Sequence, residues 1–181
     1  MRYFKFGPGR RFAAAAFLLL FPNALDAAPP GASSGAPILC ERGFAYSKTR
    51  QTCLELGARA FAPGELYEQG EALARAGHYQ RALDVLEAID RQNDPKVLTM
   101  KGFSLRKLGK IEDGIRAYLQ ALALDPGNAE AREYLGEGYV ETGRRDLALK
   151  ELASIEAICG NRHCEPYRDL AAVIIGTAEP E

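Results

Sequence analysis

Residues 63–162 repeat one pattern of small and apolar positions three times. Each repeat has two glycines seven residues apart, then a small residue five positions later and a large residue four positions beyond that. The glycine pairs are Gly70 and Gly77, Gly102 and Gly109, and Gly136 and Gly143. The small residues are Ala82, Gly114 and Ala148, and the large ones are Leu86, Tyr118 and Leu152. The units follow one another at 32 and 34 residues, which is typical of a repeat architecture.

This pattern predicts two antiparallel helices, A and B, in each unit. The predicted helices span 64–76 and 79–90, then 95–108 and 110–124, then 128–142 and 146–159. The second glycine of each pair ends helix A, because a left-handed residue after a helix needs no side chain. The first glycine and the small residue let the two helices approach closely, and the large residue fills the space between neighbouring hairpins. Pro95 and Asn128 suit the starts of their helices.

A solenoid cannot end on an open apolar face, so the last hairpin needs a cap. Residues 163–176 are predicted to supply it as a helix. Pro166 suits the helix start, and Leu170, Val173 and Ile174 make the apolar face. Residues 177–181 are a short tail.

The repeated positions resemble the tetratricopeptide repeat (TPR). YLGEGYVETGRRDLALKEL is similar to that family's Leu-Gly-x-x-Tyr, Gly and Ala pattern, and so is the ALALDP that ends the middle unit. The resemblance covers three units, 63–94, 95–128 and 129–162. It implies an all-α fold, a right-handed α-solenoid of three TPR helix hairpins with the capping helix. Gln69 and Lys101 depart from the family's Leu, and Gly114 replaces its usual Ala.

Residues 1–27 fit a secretory signal peptide. A positively charged start is followed by ten apolar residues, 12–21, then Pro22 and small residues. Ten apolar residues are too few for a transmembrane anchor. The competing interpretation of this segment is a buried N-terminal helix. Cleavage is expected after Ala27 or Ala28, followed by a flexible linker over 28–37. The product is expected to be exported, either periplasmic or secreted.

Export changes the interpretation of the four cysteines, because an even number outside the cytosol favours disulfides. Nearest-neighbour pairing is the most economical and gives Cys40–Cys53 and Cys159–Cys164. The first pair closes a short N-terminal segment, 38–62, and the second links the last helix B to the cap. The alternative is a metal site of Cys159, His163 and Cys164. It lacks a fourth ligand, and its adjacent His and Cys are poorly spaced for one ion.

The composition is that of an ordinary globular protein. The 181 residues are 47% hydrophobic and 26% charged, with a formal net charge of −1, which excludes a strongly basic nucleic-acid binder. No apolar run approaches the roughly 20 residues of a membrane span. The two histidines, His78 and His163, lie near no nucleophile motif, and no P-loop, GxGxxG or HExxH occurs. We therefore expect no catalysis, no cofactor and no metal.

The resemblance implies a binding surface, because the A helices of TPR proteins line a concave groove that holds peptides or partner helices. Transferred to this sequence, the groove positions are Tyr67, Glu71 and Ala74, then Thr99, Phe103, Arg106 and Lys107, and finally Glu130, Glu133, Glu137, Val140 and Glu141. Four of these, the glutamates 130, 133, 137 and 141, share one helical face and repel one another. Either a cationic partner segment relieves this repulsion, or the face is simply solvated and screened. Reversing Glu133 and Glu137 to Lys is expected to abolish partner capture while leaving helicity intact.

The sequence thus predicts a non-catalytic adaptor or assembly factor of the cell envelope. Its partner is a peptide or helix, with a cationic segment if the acidic stripe takes part in binding. The chain is expected to bind no nucleic acid and to have no membrane span. One alternative is a self-associating structural protein that forms a homodimer. The other is a metal-binding or redox protein built on the cysteines.

Overall fold

The computed structural model describes residues 36–176, so the predicted signal peptide, most of the linker and the tail lie outside the described residues. Two short strands precede seven helices in this part of the chain. The elements are β1 (Phe44–Ser47), β2 (Thr52–Glu55), α1 (Glu65–Arg75), α2 (Tyr79–Glu87), α3 (Pro95–Lys107), α4 (Ile111–Leu124), α5 (Ala129–Glu141), α6 (Arg145–Cys159) and α7 (Glu165–Gly176). Helices α1–α6 form the three predicted hairpins and α7 is the predicted cap. The helical-hairpin architecture is confirmed.

Local sequence explains where the A helices begin and end. Helices α1, α3 and α5 are each followed by a glycine with left-handed backbone, at Gly77, Gly109 and Gly143 with φ of 84°, 80° and 73°. A residue with a Cβ is strained in that conformation. At the starts of α3 and α5, the side chains of Asp94 and Asn128 each accept a backbone N–H at 2.9 Å. These caps satisfy donors that have no partner inside the helix.

The first glycine of each pair makes room for a large side chain. A Cβ atom at Gly70 would lie 2.7 Å from Leu86, and one at Gly102 would lie 2.6 Å from Tyr118. Leu86 and Tyr118 therefore fill space inside their own hairpins as well as in the core shared with the neighbouring hairpin. The third unit differs, because Gly136 faces Leu170 of α7 rather than Leu152.

One hydrophobic core runs from α2 to α7. The most deeply buried of its members are at most 1% exposed, and they are Leu86, Met100, Tyr118, Leu135, Ala148, Ile155 and Leu170. Because Leu170 and Ile174 belong to this cluster, α7 completes the core at the end of the last hairpin. The Cys159–Cys164 disulfide joins α6 to α7, with an S–S distance of 2.16 Å. Gly160, with φ of 69°, ends α6 just after the first of these cysteines.

The N-terminal segment contains a β-hairpin that the sequence analysis did not predict. β1 and β2 pair antiparallel, and the Cys40–Cys53 disulfide closes the segment with an S–S distance of 2.00 Å. Ala45 of β1 is buried in a second cluster with Leu73 of α1 and Val85 of α2. The hairpin therefore covers the first repeat, just as α7 covers the last.

Glu65 fastens this hairpin to the start of α1. Its carboxylate accepts hydrogen bonds from the Thr49 backbone N–H at 3.0 Å, the Ala62 N–H at 2.9 Å and the Ser47 hydroxyl at 3.0 Å. Hydrogen bonding, led by the Thr49 N–H, outweighs burial and lowers the pKa of Glu65. The carboxylate is therefore charged at neutral pH and holds the β1–β2 turn against the helix.

Candidate protein-binding groove

All the predicted groove residues lie on one row of helices. α1 packs against α3, and α3 packs against α5. α7 then packs against both α5 and α6, as α5 packs against both α3 and α4. Helix α7 therefore extends the row of A helices by one, and its side next to α5 borders the candidate surface.

Aromatic side chains occupy the middle of this surface. Phe103 of α3 is half-buried, with its ring centroid 5.0 Å from that of Tyr134 and 6.1 Å from that of Tyr79. The Lys107 ammonium lies 5.6 Å from the centre of the Phe103 ring. Tyr67 of α1 is also half-buried, and burial together with the charges of Glu71 and Glu130 raises its pKa to about 12. Aromatic rings beside a cation make an adaptable surface for another polypeptide.

Arg106 is buried beneath the aromatic residues and is committed to the protein itself. It is 3% exposed, and its guanidinium donates to the carboxylates of Glu137 and Glu141 on α5. Burial lowers the pKa of Arg106. The Tyr118 hydroxyl and the two carboxylates raise the pKa by more than burial lowers it, so the net shift is upward. Arg106 therefore stays charged and ties α3 to α5.

Arg75, which the sequence analysis did not single out, ties α1 to α5. Its guanidinium donates to Glu71 at 3.0 Å and to Glu130 at 3.0 Å. The Tyr134 hydroxyl also donates to Glu130, at 3.1 Å. This ion pair joins the first and third hairpins on the groove side.

Glu133 differs from the other three glutamates of α5. It is 7% exposed, and its side chain makes no hydrogen bond or ion pair within the described part of the chain. Burial first, and then the charges of Glu137, Asp169, Glu130 and Glu165, raise its pKa to about 8. Asp169 and Glu165 are exposed residues of α7.

Three of the four glutamates in the acidic stripe have an arginine partner. Glu137 and Glu141 share Arg106, and Glu130 shares Arg75 with Glu71, so these pairs offset part of the negative charge of the stripe. Reversing Glu137 to Lys would break the buried pair with Arg106 and destabilise the fold. The double reversal of Glu133 and Glu137 is therefore expected to lower the stability of the protein as well as partner capture.

Thr99 does not line the groove in this structure. Its side chain is 1% exposed, and its hydroxyl donates to the Pro95 carbonyl at 2.8 Å. Burial inside the first turn of α3 leaves this hydroxyl no free donor for a ligand.

Several groove residues were missed from the sequence. Arg75 lies four positions after Glu71 on one helix, a spacing that could have revealed their pairing. Tyr134 carries no local signal, because its role depends on Phe103 of another hairpin. Glu165 and Asp169 were assigned to a cap, and only the packing of α7 beside α5 brings them to Glu133.

All four cysteines form the two disulfides. Within the described residues, no three His, Cys, Asp or Glu side chains are grouped so that they could hold a metal ion. None of the helices in that range combines the length and apolar character needed to cross a membrane.

The repeat family follows from this geometry together with the sequence. A family model described as tetratricopeptide repeat matches residues 99–161, which include most of the second and third hairpins. Residues 99–161 therefore contain tetratricopeptide repeats. The first hairpin lies outside the match, but it has the same glycine-ended helix A and the same contact between a glycine and a large residue of helix B.

Solved structures share the TPR fold. Among them, the crystal structure of MamA is 19% identical, with 62% of this chain and 66% of MamA covered and a TM-score of 0.53. The chain thus spans just under two thirds of MamA's length. PcrH in complex with the chaperone binding region of PopB is 20% identical, covering 65% of this chain and 98% of PcrH, with a TM-score of 0.53. PcrH in complex with the chaperone binding region of PopD is also 20% identical, covering 67% of this chain and 94% of PcrH, with a TM-score of 0.54.

Identities this low show a shared fold and nothing finer. No curated protein sequence matches the chain. TPR proteins are typically non-catalytic modules for protein–protein interaction, and the fold of this chain is that of such a module.

Proposed function

We propose that this TPR protein is a non-catalytic adaptor or assembly factor that holds a peptide or helix of a partner protein in its groove. The observation that carries the proposal is the half-buried aromatic surface of Tyr67, Tyr79 and Phe103, with Lys107 beside it. Arg75 and Arg106 fix the helices that present this surface. A preorganised surface binds with a smaller loss of conformational entropy than a mobile one.

Two further observations support the proposal. The fold is shared with PcrH along 98% of PcrH's length, and PcrH is in complex with the chaperone binding region of PopB. The signal-like residues 1–27 and the two disulfides agree with work in the periplasm or outside the cell, where disulfides persist. The setting that we propose is therefore the cell envelope.

Site-specific photocrosslinking tests the groove. A benzophenone amino acid placed at Tyr67 should crosslink a partner in envelope extracts of the native host. The matched control is the same amino acid at Leu119, which is 47% exposed on helix α4. Equal adducts from both positions, or none from position 67, would contradict binding in the groove.

Self-association is the second candidate function, because large apolar side chains are exposed on the B helices and the cap. They are at least 42% exposed and comprise Leu119, Leu124, Leu149, Ile158 and Ile175. Light scattering of the purified protein distinguishes the two functions. A monomer favours the adaptor, whereas a tight dimer dispersed by Leu119→Gln together with Leu149→Gln favours self-association.

A further inference from the structure

Glu133 is the groove carboxylate that the described residues leave without a partner. Glu130 and Glu137, one turn away on either side, are paired with Arg75 and Arg106. Glu133 is nevertheless the most buried of the three, at 7% exposure. Burying a carboxylate without a partner is costly, so its retention at this position needs a physical reason.

The Glu133 carboxylate is still reached by solvent. Within residues 36–176, every fully buried side-chain nitrogen or oxygen has a hydrogen-bond partner. Glu133 makes no hydrogen bond, so its oxygens must keep some contact with water. The Glu133 carboxylate thus stays partly open to solvent although its residue is 7% exposed, and a ligand could reach it through this opening.

The groups around this opening are negative. Glu130 and Glu137 flank Glu133 on α5, and Glu165 and Asp169 face it from α7. The exposed carboxylates of Glu165 and Asp169 would attract a cation into the opening, where Glu133 could accept its hydrogen bonds.

Three arginines of α1, α3 and α5 are already paired with carboxylates. Arg106 of α3 pairs with Glu137, and Arg75 of α1 pairs with Glu130. Arg132, next to Glu133 in sequence, pairs with Glu151 at 2.8 Å. A positive charge that pairs with Glu133 must therefore come from a group other than these three arginines.

We infer that Glu133, Glu165 and Asp169 form a receptor for one lysine or arginine side chain of the segment bound in the groove. This inference rests on the proposed function and names the chemistry of its partner. A basic side chain suits the site because its head can donate to Glu133 while its aliphatic stem lies along apolar surface. A metal ion does not suit it, since the described acidic side chains are not grouped as ligands.

The test begins with selection of random 12-residue peptides displayed on phage against the purified protein. The affinities of the enriched peptides are then measured for the wild type, Glu133→Gln and Phe103→Ala. The matched control is Glu87→Gln, which removes the same charge from an exposed position on α2. Each peptide is also synthesised with its arginine replaced by citrulline, which is neutral and of similar shape.

We expect the selected peptides to share a basic residue at one fixed position. Glu133→Gln should weaken their binding about tenfold or more, as for loss of one partner of a buried charge pair. The citrulline peptide should bind about equally weakly to the wild type and to Glu133→Gln, and Glu87→Gln should change affinity less than about twofold.

The outcomes separate the two proposals. Peptides that depend on Phe103 but carry no fixed basic residue would overturn the inference and leave the proposed function standing. Failure to select any peptide that depends on Phe103 would contradict the proposed function. In that case, the ¹³C carboxyl resonance of Glu133 is followed while methylguanidinium chloride is added. A saturable change in its chemical shift would support a receptor for a basic side chain, and no change would overturn the inference.

Discussion

Gly136 of α5 lies directly against Leu170 of α7. A Cβ atom added at position 136 would come within 2.5 Å of Leu170 Cδ2 and 2.7 Å of Cδ1. Leu170 is fully buried, so it cannot move aside into solvent. The position of the capping helix is therefore set by the absence of a side chain at residue 136.

Gly136→Ala should destabilise the protein by about 1 kcal/mol. Overpacking a filled core costs about 1–3 kcal/mol, whereas replacing a helical glycine with alanine returns up to about 1 kcal/mol. Urea unfolding measures the difference. Gly127→Ala, where the nearest atom is at 3.5 Å, is the control and should be close to neutral. In a Leu170→Ala background Gly136→Ala should stabilise, and a penalty that persists there would contradict the assigned contact.

Arg106→Met should cost about 2–4 kcal/mol, because it leaves Glu137 and Glu141 without their partner beside a buried position. The comparison is Arg116→Met, since Arg116 forms an exposed ion pair with Asp113. Exposed pairs contribute at most about 1 kcal/mol. Equal free energies of unfolding for the two variants in urea would show that Arg106 does not tie α3 to α5.

Glu133→Gln should make the protein more stable than the wild type at alkaline pH. The folded-state pKa of Glu133, about 8, lies above the ordinary value of 4.5, so the folded protein holds this proton more tightly than the unfolded chain. The stability that the protonated Glu133 contributes is fully present below pH 4.5 and is lost as the pH rises through 8. The melting temperature of Glu133→Gln should match the wild type near pH 5 and exceed it by about 3 °C or more at pH 9. A constant difference in melting temperature across that range would contradict the raised pKa of Glu133.

Removing either disulfide should loosen one end of the array only. In the chain-entropy model a loop of 13 residues is worth about 3 kcal/mol and one of 5 residues about 2 kcal/mol. Hydrogen exchange should show lost protection in α1 and α2 for Cys40→Ser with Cys53→Ser, and in α7 for Cys159→Ser with Cys164→Ser. Four free thiols in the untreated wild-type protein, measured with and without reductant, would eliminate both bonds.

The sequence predicts the helices well because their ends are determined locally. Gly77, Gly109 and Gly143 end the A helices through a backbone conformation that needs no distant contact. Asp94 and Asn128 begin two of them through hydrogen bonds to residues two or three positions away. Such features can be identified without knowing how the hairpins pack.

The rest depends on contacts between distant residues. Arg106 and Glu137 are 31 positions apart, so no local pattern shows that a glutamate of the acidic stripe pairs with an arginine of another hairpin. The strands β1 and β2 have only four residues each, too few to show a clear alternation of apolar and polar positions. Leu152 has the repeat position of Leu86 and Tyr118, but the packing of α7 places Leu170 rather than Leu152 against Gly136.

Helix α7 closes the core and also presents Glu165 and Asp169 beside Glu133. A shortened chain that stops at residue 164 would retain three complete hairpins, yet it would expose the core around Leu135 and lose one wall of the opening. Folding integrity and ligand choice therefore rest on the same twelve-residue helix. A variant selected for a new partner through changes on α7 must keep Leu170 and Ile174 seated, which restricts how freely this end of the groove can diverge.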